Sequence, residues 1–176
     1  RKISRVEQEL ILTEILAELK NDEICGCFAD IAEFPGFIAA LARLFDEFKM
    51  AAATPDELAA VMEGLAEAEG HDGKRDAAIA LLFERYQEKL IEYSLVDIAG
   101  TYLLAVEALE NPETVLPFQR LLIAEFSILS PMRLQFIAGL QRRVPVEISI
   151  YYEKDRPAIY AAVEPVVQSL LGMGFV

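Results

Sequence analysis

The chain has 176 residues, 54% of them hydrophobic, with ten Phe and six Tyr; this fits one domain or one and a part and excludes a disordered polymer. No run of about 18 uncharged apolar residues reads as a membrane span, and the start, RKISRVEQEL, lacks the apolar stretch of a signal peptide. The net charge of −13 sits in the front: residues 1–112 hold 10 basic and 23 acidic side chains, residues 113–176 hold 6 of each, and an acidic surface repels phosphate, so the front is not expected to bind nucleic acid alone.

Taken in chain order, the front reads as helices. Ser4-Arg5-Val6-Glu7 fits a capping box. Leu12, Ile15, Leu16 and Leu19 then share one face. Asn21 to Asp30 is a loop holding Cys25 and Cys27. Cysteines two apart seldom pair, because the ring is strained. With His71 as the lone histidine, the chain offers too few soft ligands for a metal, so two reduced thiols are expected. Pro35-Gly36 opens a second helix with Phe37, Leu41, Leu44 and Phe48 at helical spacing. Thr54-Pro55-Asp56-Glu57 is a second capping box, followed by Leu58, Val61, Met62 and Leu65. A long helix runs from about Lys74 to Tyr93 over Ile79, Leu82, Phe83, Tyr86 and Leu90. Ser94 is expected to cap the next, with Asp97 in its first turn and Ile98, Tyr102, Val106 and Leu109 as its stripe. Asn111-Pro112 stops it.

After Pro112 the pattern changes. Leu121-Leu122-Ile123-Ala124 is a continuous apolar run, as in a strand buried on both faces. Ser130-Pro131 starts a helix through Gln141 over Leu134, Ile137 and Leu140. Val146 to Ile150 alternates and is rich in β-branched residues, so a second strand follows. Arg156-Pro157 starts a helix that kinks or restarts at Pro165, and Phe175-Val176 is placed to begin a third strand. Strand, helix, strand, helix implies parallel strands with right-handed crossovers. The expected fold is α+β, leaning to α/β: a bundle of about five helices in 1–112, then a partial parallel segment in 113–176. So small a parallel sheet calls for further strands, and a chain starting at Arg1 suits an excised piece.

Three motifs lose to plainer readings. Gly70-His71-Asp72-Gly73-Lys74-Arg75 has two residues between its glycines, where a phosphate-binding loop needs four, and no strand precedes it. Glu47-Phe48-Lys49 has a nuclease-like spacing, but it falls on a helix and reads as a solvated face. His71 has no nucleophile beside it and reads as a surface loop residue. The more informative place is the strand end at Ala124-Glu125. Ligands of open parallel sheets bind beyond the carboxyl ends of strands. Glu125 stands at one such end, and Tyr151, Tyr152, Asp155 and Arg156 at or after the next. A nucleotide-hydrolysing site wants an Asp there for magnesium, and Ala124 offers no oxygen.

Four stretches carry a family resemblance: Phe34-Pro-Gly-Phe-Ile with Leu44-Phe-Asp-Glu-Phe-Lys and Thr54-Pro-Asp-Glu-Leu; Lys74-Arg-Asp-Ala through Phe83-Glu-Arg-Tyr to Asp97; Leu121 to Pro131 with Leu134 to Leu140; and Val144 to Pro157. Together they resemble the B subunit of the AddAB-type ATP-dependent helicase–nuclease, which processes DNA double-strand ends for recombination and is similar to superfamily 1 helicases in its front half. The resemblance implies a helical insertion followed by part of the first motor domain's sheet. On it, Ala124-Glu125 stands where a helicase places Asp-Glu, implying a disabled catalytic edge. It further implies no cofactor in this segment, with ATP and magnesium serving only the parent complex, and partnership with the A subunit. It implies DNA contact through the full-length complex, with Arg142 and Arg143 as candidates, no membrane, and a cytoplasmic location. The alternatives are an acidic helical protein-interaction module with no nucleic-acid role, and a small nucleotide-dependent enzyme.

Overall fold

The structure, a computed structural model, describes residues 1–66, 72–124, 128–153 and 155–176. The chain divides into two compact units, Arg1–Thr101 and Tyr102–Val176.

In the first unit, α1 (Arg5–Glu18) starts at the capping box: the Glu7 N–H donates to Ser4 Oγ, and the Ser4 N–H donates to the Glu7 carboxylate at 2.8 Å. Its buried face is Gln8, Ile11, Leu12, Ile15 and Leu16. The 21–30 loop folds into a 3-10 turn, Cys25–Phe28, whose Ile24 and Cys25 N–H groups donate to Asp22. Phe28 is buried against Phe37, ring centroids 5.1 Å apart. Both cysteines are free; Cys25 is buried, which pushes its thiol up to about 11, and Cys27 is exposed.

The helix α2 (Pro35–Met50) begins at Pro35 and buries Ile38, Leu41, Ala42, Phe45 and Lys49. Of the expected Phe37, Leu41, Leu44 and Phe48 stripe, Leu41 is buried, while the other three lie at the rim of this face and are only partly buried. α2 packs on α1, and the ring of Phe45 reaches α4 (Gly73–Glu92), so the line through Ile38, Leu41, Ala42 and Phe45 enters the core. Phe45 meets Phe83 at 5.2 Å and Tyr86 at 5.6 Å. The second capping box starts α3 (Pro55–Ala66), which packs on α4. Leu58 is buried, whereas Val61 faces solvent. Gly70 and His71 lie outside the described residues, and Asp72 caps α4 through the Arg75 N–H.

Ser94 does not cap the next helix. It sits at φ 52° and ends α4, its N–H returning to Ile91 O at 3.0 Å and that of Leu95 to Leu90 O at 2.8 Å. Asp97 takes the capping role for α5 (Gly100–Glu110), accepting the Gly100 N–H at 2.6 Å. Ile98 therefore lies ahead of the helix, 56% exposed. The chain start is tied to this segment by a parallel bridge between Lys2 and Val96.

In the second unit, β1 (Leu121–Ala124) and β2 (Val146–Ser149) form a parallel pair with Leu121 opposite Val146 and Ala124 opposite Ser149. Between them runs α6 (Pro131–Gln141), capped by Ser130. After β2 come α7 (Pro157–Tyr160) and α8 (Glu164–Gly172), so the helix does restart at Pro165. Leu121, Ile123, Val146 and Ile148 are the half-buried side of the pair, and the last three pack on Leu129, Ile137, Val166 and Leu170. The other side is bare, so β1 is buried on one face only, with Leu122 65% exposed. Phe175-Val176 is not a strand: Gly174 at φ 90° turns the chain, and the Phe175 N–H returns to Leu170 O at 3.1 Å. The whole is α+β, a helical bundle followed by a small parallel β-α-β-α unit. Among the described residues no helix is long and apolar enough to cross a membrane.

Candidate site at the carboxyl end of the sheet

Because β1 and β2 are parallel, their carboxyl ends open on one side. There Ala124 lies beside Ser149, both exposed. Glu125 and Phe126 lie outside the described residues. Past the end of β2, Tyr151 is 84% exposed. Tyr152 turns the other way: its hydroxyl donates to Glu164 at the start of α8, and its ring meets Tyr160 edge-on at 5.9 Å. The bond to that carboxylate pushes the Tyr152 phenol up. Asp155 is exposed. Arg156 Nε pairs with Glu153 at 3.1 Å, with both side chains more than half in solvent, so the pair fixes little. Among the described residues, no three His, Cys, Asp or Glu side chains converge as a metal site would require.

Arg142 and Arg143 stand just before β2, at its opposite, amino end, so the tyrosines and arginines do not form one site. They also differ from each other. Arg142 is exposed at the end of α6. Arg143 is spent on the backbone: Nη1 donates to Leu109 O and Asn111 O at 3.0 Å each, Nη2 to Pro112 O at 3.3 Å and Thr114 O at 2.6 Å. Its planar fork thus holds the end of α5 and the bend that leads to β1.

A second polar centre escapes the sequence reading. Lys49 is not on a solvated face; it is buried. Its Nζ donates to Asp97 Oδ2 at 2.6 Å and lies 5.0 Å from the Tyr86 ring centre. The Tyr86 hydroxyl donates to the same oxygen at 2.7 Å. Burial, then the Asp97 charge, pushes the Tyr86 phenol up; burial pushes the Lys49 ammonium down against the pull of Asp97. Nearby, Gln8 Nε2 donates to Ala42 O at 3.3 Å and Asp46 Oδ1 at 3.1 Å, and Arg5 pairs with Asp46 at 2.7 Å. Among the described residues no buried side-chain donor or acceptor lacks a partner, so this network is closed on itself and offers nothing to a ligand. The available signal was spacing: Leu41, Phe45 and Lys49 recur at four-residue intervals, on one helix face.

A protein-family profile described as "ADDB, N-terminal" matches residues 1–164. No curated protein matches the chain at a significant level. The matched span runs from the first capping box, through the bundle and both strands, to the first residue of α8. The chain belongs to the AddB N-terminal family, that of a subunit of a DNA-repair complex.

Proposed function

We propose that this chain is a non-catalytic segment of the B subunit of an ATP-dependent helicase–nuclease that processes DNA double-strand breaks for recombination. Its work is structural, and it contributes to holding and scanning DNA as part of the full-length complex with the A subunit, in the cytoplasm. One observation carries the reading. At the carboxyl end of a parallel β-α-β unit, where nucleotide hydrolysis needs an oxygen ligand for magnesium, β1 ends in the methyl group of Ala124 beside the hydroxyl of Ser149. Neither Ala124 nor Ser149 brings a carboxylate there, which supports a segment that hydrolyses no nucleotide. Arg142, exposed and unlike Arg143 not committed to the backbone by four bonds, is the better candidate for a phosphate contact. The bare side of the sheet favours a segment of a larger protein over a self-contained docking module, which would cover it.

The test is thermal unfolding with and without magnesium and a non-hydrolysable nucleotide. A ligand at a hundred times its Kd stabilises by about 2.7 kcal/mol, a plain rise in melting temperature. No rise is expected. A rise that Glu125→Gln abolishes overturns the reading. In the full complex, Arg142→Ala is expected to weaken DNA binding evenly across sequences and lower the salt slope by about one.

A further inference from the structure

The seam between α3 and α4 holds a groove of about 420 Å³. Its apolar wall comes from both helices: Ala59 and Met62 of α3, Ala77 and Leu81 of α4. Ala59 and Ala77 are exposed, and side chains this small let another backbone come close. Among the described residues, the charged side chains that line the groove are all acidic: Asp56, Glu63 and Glu84. All three are exposed, and none stands in an ion pair with a described residue. The neighbouring charges are already committed. Arg85, next to Glu84, pairs with Glu88 at 2.7 Å, and the Glu57 carboxylate, next to Asp56, accepts the Thr54 N–H at 3.0 Å.

We propose that this groove docks a basic amphipathic helix of another protein. Both walls are α-helices, whose main-chain groups are bonded within themselves, so the groove offers side chains only. A strand laid there would leave its own N–H and C=O groups unpaired, whereas a helix brings them satisfied. The lining runs from Asp56 to Glu63 on α3 and from Gly73 to Glu84 on α4. At roughly 1.5 Å per residue these walls are about 10 and 16 Å long, enough for about two to three turns of helix. Carboxylates on both walls select the flanks of the occupant: Lys or Arg on each side of an apolar stripe spaced i, i+3, i+4, i+7. The same charge turns other occupants away. Nucleic acid is repelled, and a second copy of this chain, with its net charge of −13, brings the wrong sign. None of this depends on DNA or nucleotide binding by the subunit.

The probe is a synthetic peptide of about fifteen residues with blocked ends, long enough to hold a helix, with Leu at that spacing and Lys on both flanks. It carries a fluorophore at one end and a photo-reactive residue on its apolar face. One control scrambles its sequence, and a second replaces each Lys by Glu. Binding to the full-length subunit is read by fluorescence anisotropy, and the contact is mapped by cross-linking and mass spectrometry. Cross-links are expected on the Asp56–Glu63 and Gly73–Glu84 stretches. Glu63→Lys and Glu84→Lys are each expected to weaken binding about three- to tenfold. Ala77→Arg fills the groove with a bulky cation on an exposed site, where Arg keeps the helix, and is expected to cost more than about tenfold. Glu92→Lys, exposed about 12 Å further along α4, is expected to change binding less than about twofold. If Ala77→Arg fails to fold, the two exposed charge reversals carry the comparison. Four results overturn the proposal: no binding to the full-length subunit; scrambled or acidic peptide bound as tightly as the probe; cross-links elsewhere; or binding that Glu63→Lys and Glu84→Lys leave unmoved. Self-association of the subunit that the probe displaces means that a second copy fills the groove, and overturns it too.

Discussion

Asp97 accepts three hydrogen bonds where water does not reach. Its side chain is 2% exposed, with Lys49 and Tyr86 on one oxygen and the Gly100 N–H on the other. Removing one partner of a buried ion pair leaves the other charge stranded, which costs about 3–5 kcal/mol. Asp97→Ala is expected to fall in that range, measured by urea unfolding. The double variant Lys49→Met, Asp97→Asn is expected to lose less than the single variants sum to, since neither charge is then left alone. A single-residue effect that depends on pH sits at Glu7. The Ser4 N–H, then Arg1, holds its carboxyl down at about 2 against the usual 4.5. A depressed folded pKa contributes stability above the unfolded value and loses it as pH falls through the folded one. Urea midpoints are thus expected to fall between about pH 4.5 and pH 2, and Glu7→Gln is expected to flatten part of that fall; Glu57 and Asp22, also held down by backbone N–H groups, account for more. An unchanged slope in Glu7→Gln would show the capping bond to be absent in solution.

Most helix starts and several ends were legible. Ser4, Thr54 and Ser130 announce their roles through side-chain oxygens that seek free N–H groups, and Asn111-Pro112 and Gln141 mark the ends of α5 and α6 as expected. The turns that close α2 and α4 use backbone alone. At Ala52 (φ 60°) and Ser94 (φ 52°) the chain turns left-handed, and the next residue's N–H returns to a carbonyl five residues earlier: Ala53 to Phe48 O, Leu95 to Leu90 O. Glycine usually signals such a turn, as Gly174 does after α8. Alanine and serine do not, which is why Ser94 reads from sequence as the start of a helix when it is the stop of one. The left-handed region costs an L-residue about 1–2 kcal/mol, of which glycine's greater unfolded freedom returns a part. Ala52→Gly and Ser94→Gly are each expected to stabilise by roughly 0.5–1 kcal/mol, seen as a higher urea midpoint at constant slope. Destabilisation by either change would mean those turns are not formed. The strands show a related limit. Their existence and parallel sense follow from the pattern of apolar runs around one helix, but Leu122 reads as buried because it is apolar, and nothing in the run itself says that no second layer covers it here. Lys49 is the converse: it reads as solvated because it is charged, and only its partner Asp97, 48 residues away, makes burial tolerable.

The two units differ in what holds them. Among the described residues, the first has a contiguous cluster of nineteen buried residues, with Phe45, Phe83 and Tyr86 near its middle, and the cluster under the second unit's sheet has four, Leu129, Ile137, Val166 and Leu170. Burial of apolar surface is the main force opposing chain entropy, at about 25 cal/mol per Å², so the unit with the smaller core and a bare sheet face has less to set against its ordering. The first unit carries most of the negative charge and its self-repulsion, but at physiological salt exposed charges more than about 8 Å apart are largely screened, whereas the loss of core is not. The second unit is therefore expected to open first. In hydrogen exchange at rising urea, amides of β1, β2 and α8 should lose protection at lower denaturant than those of α1, α2 and α4, giving two steps where a single cooperative domain gives one. Coincident loss in both units would mean that their cores are energetically one.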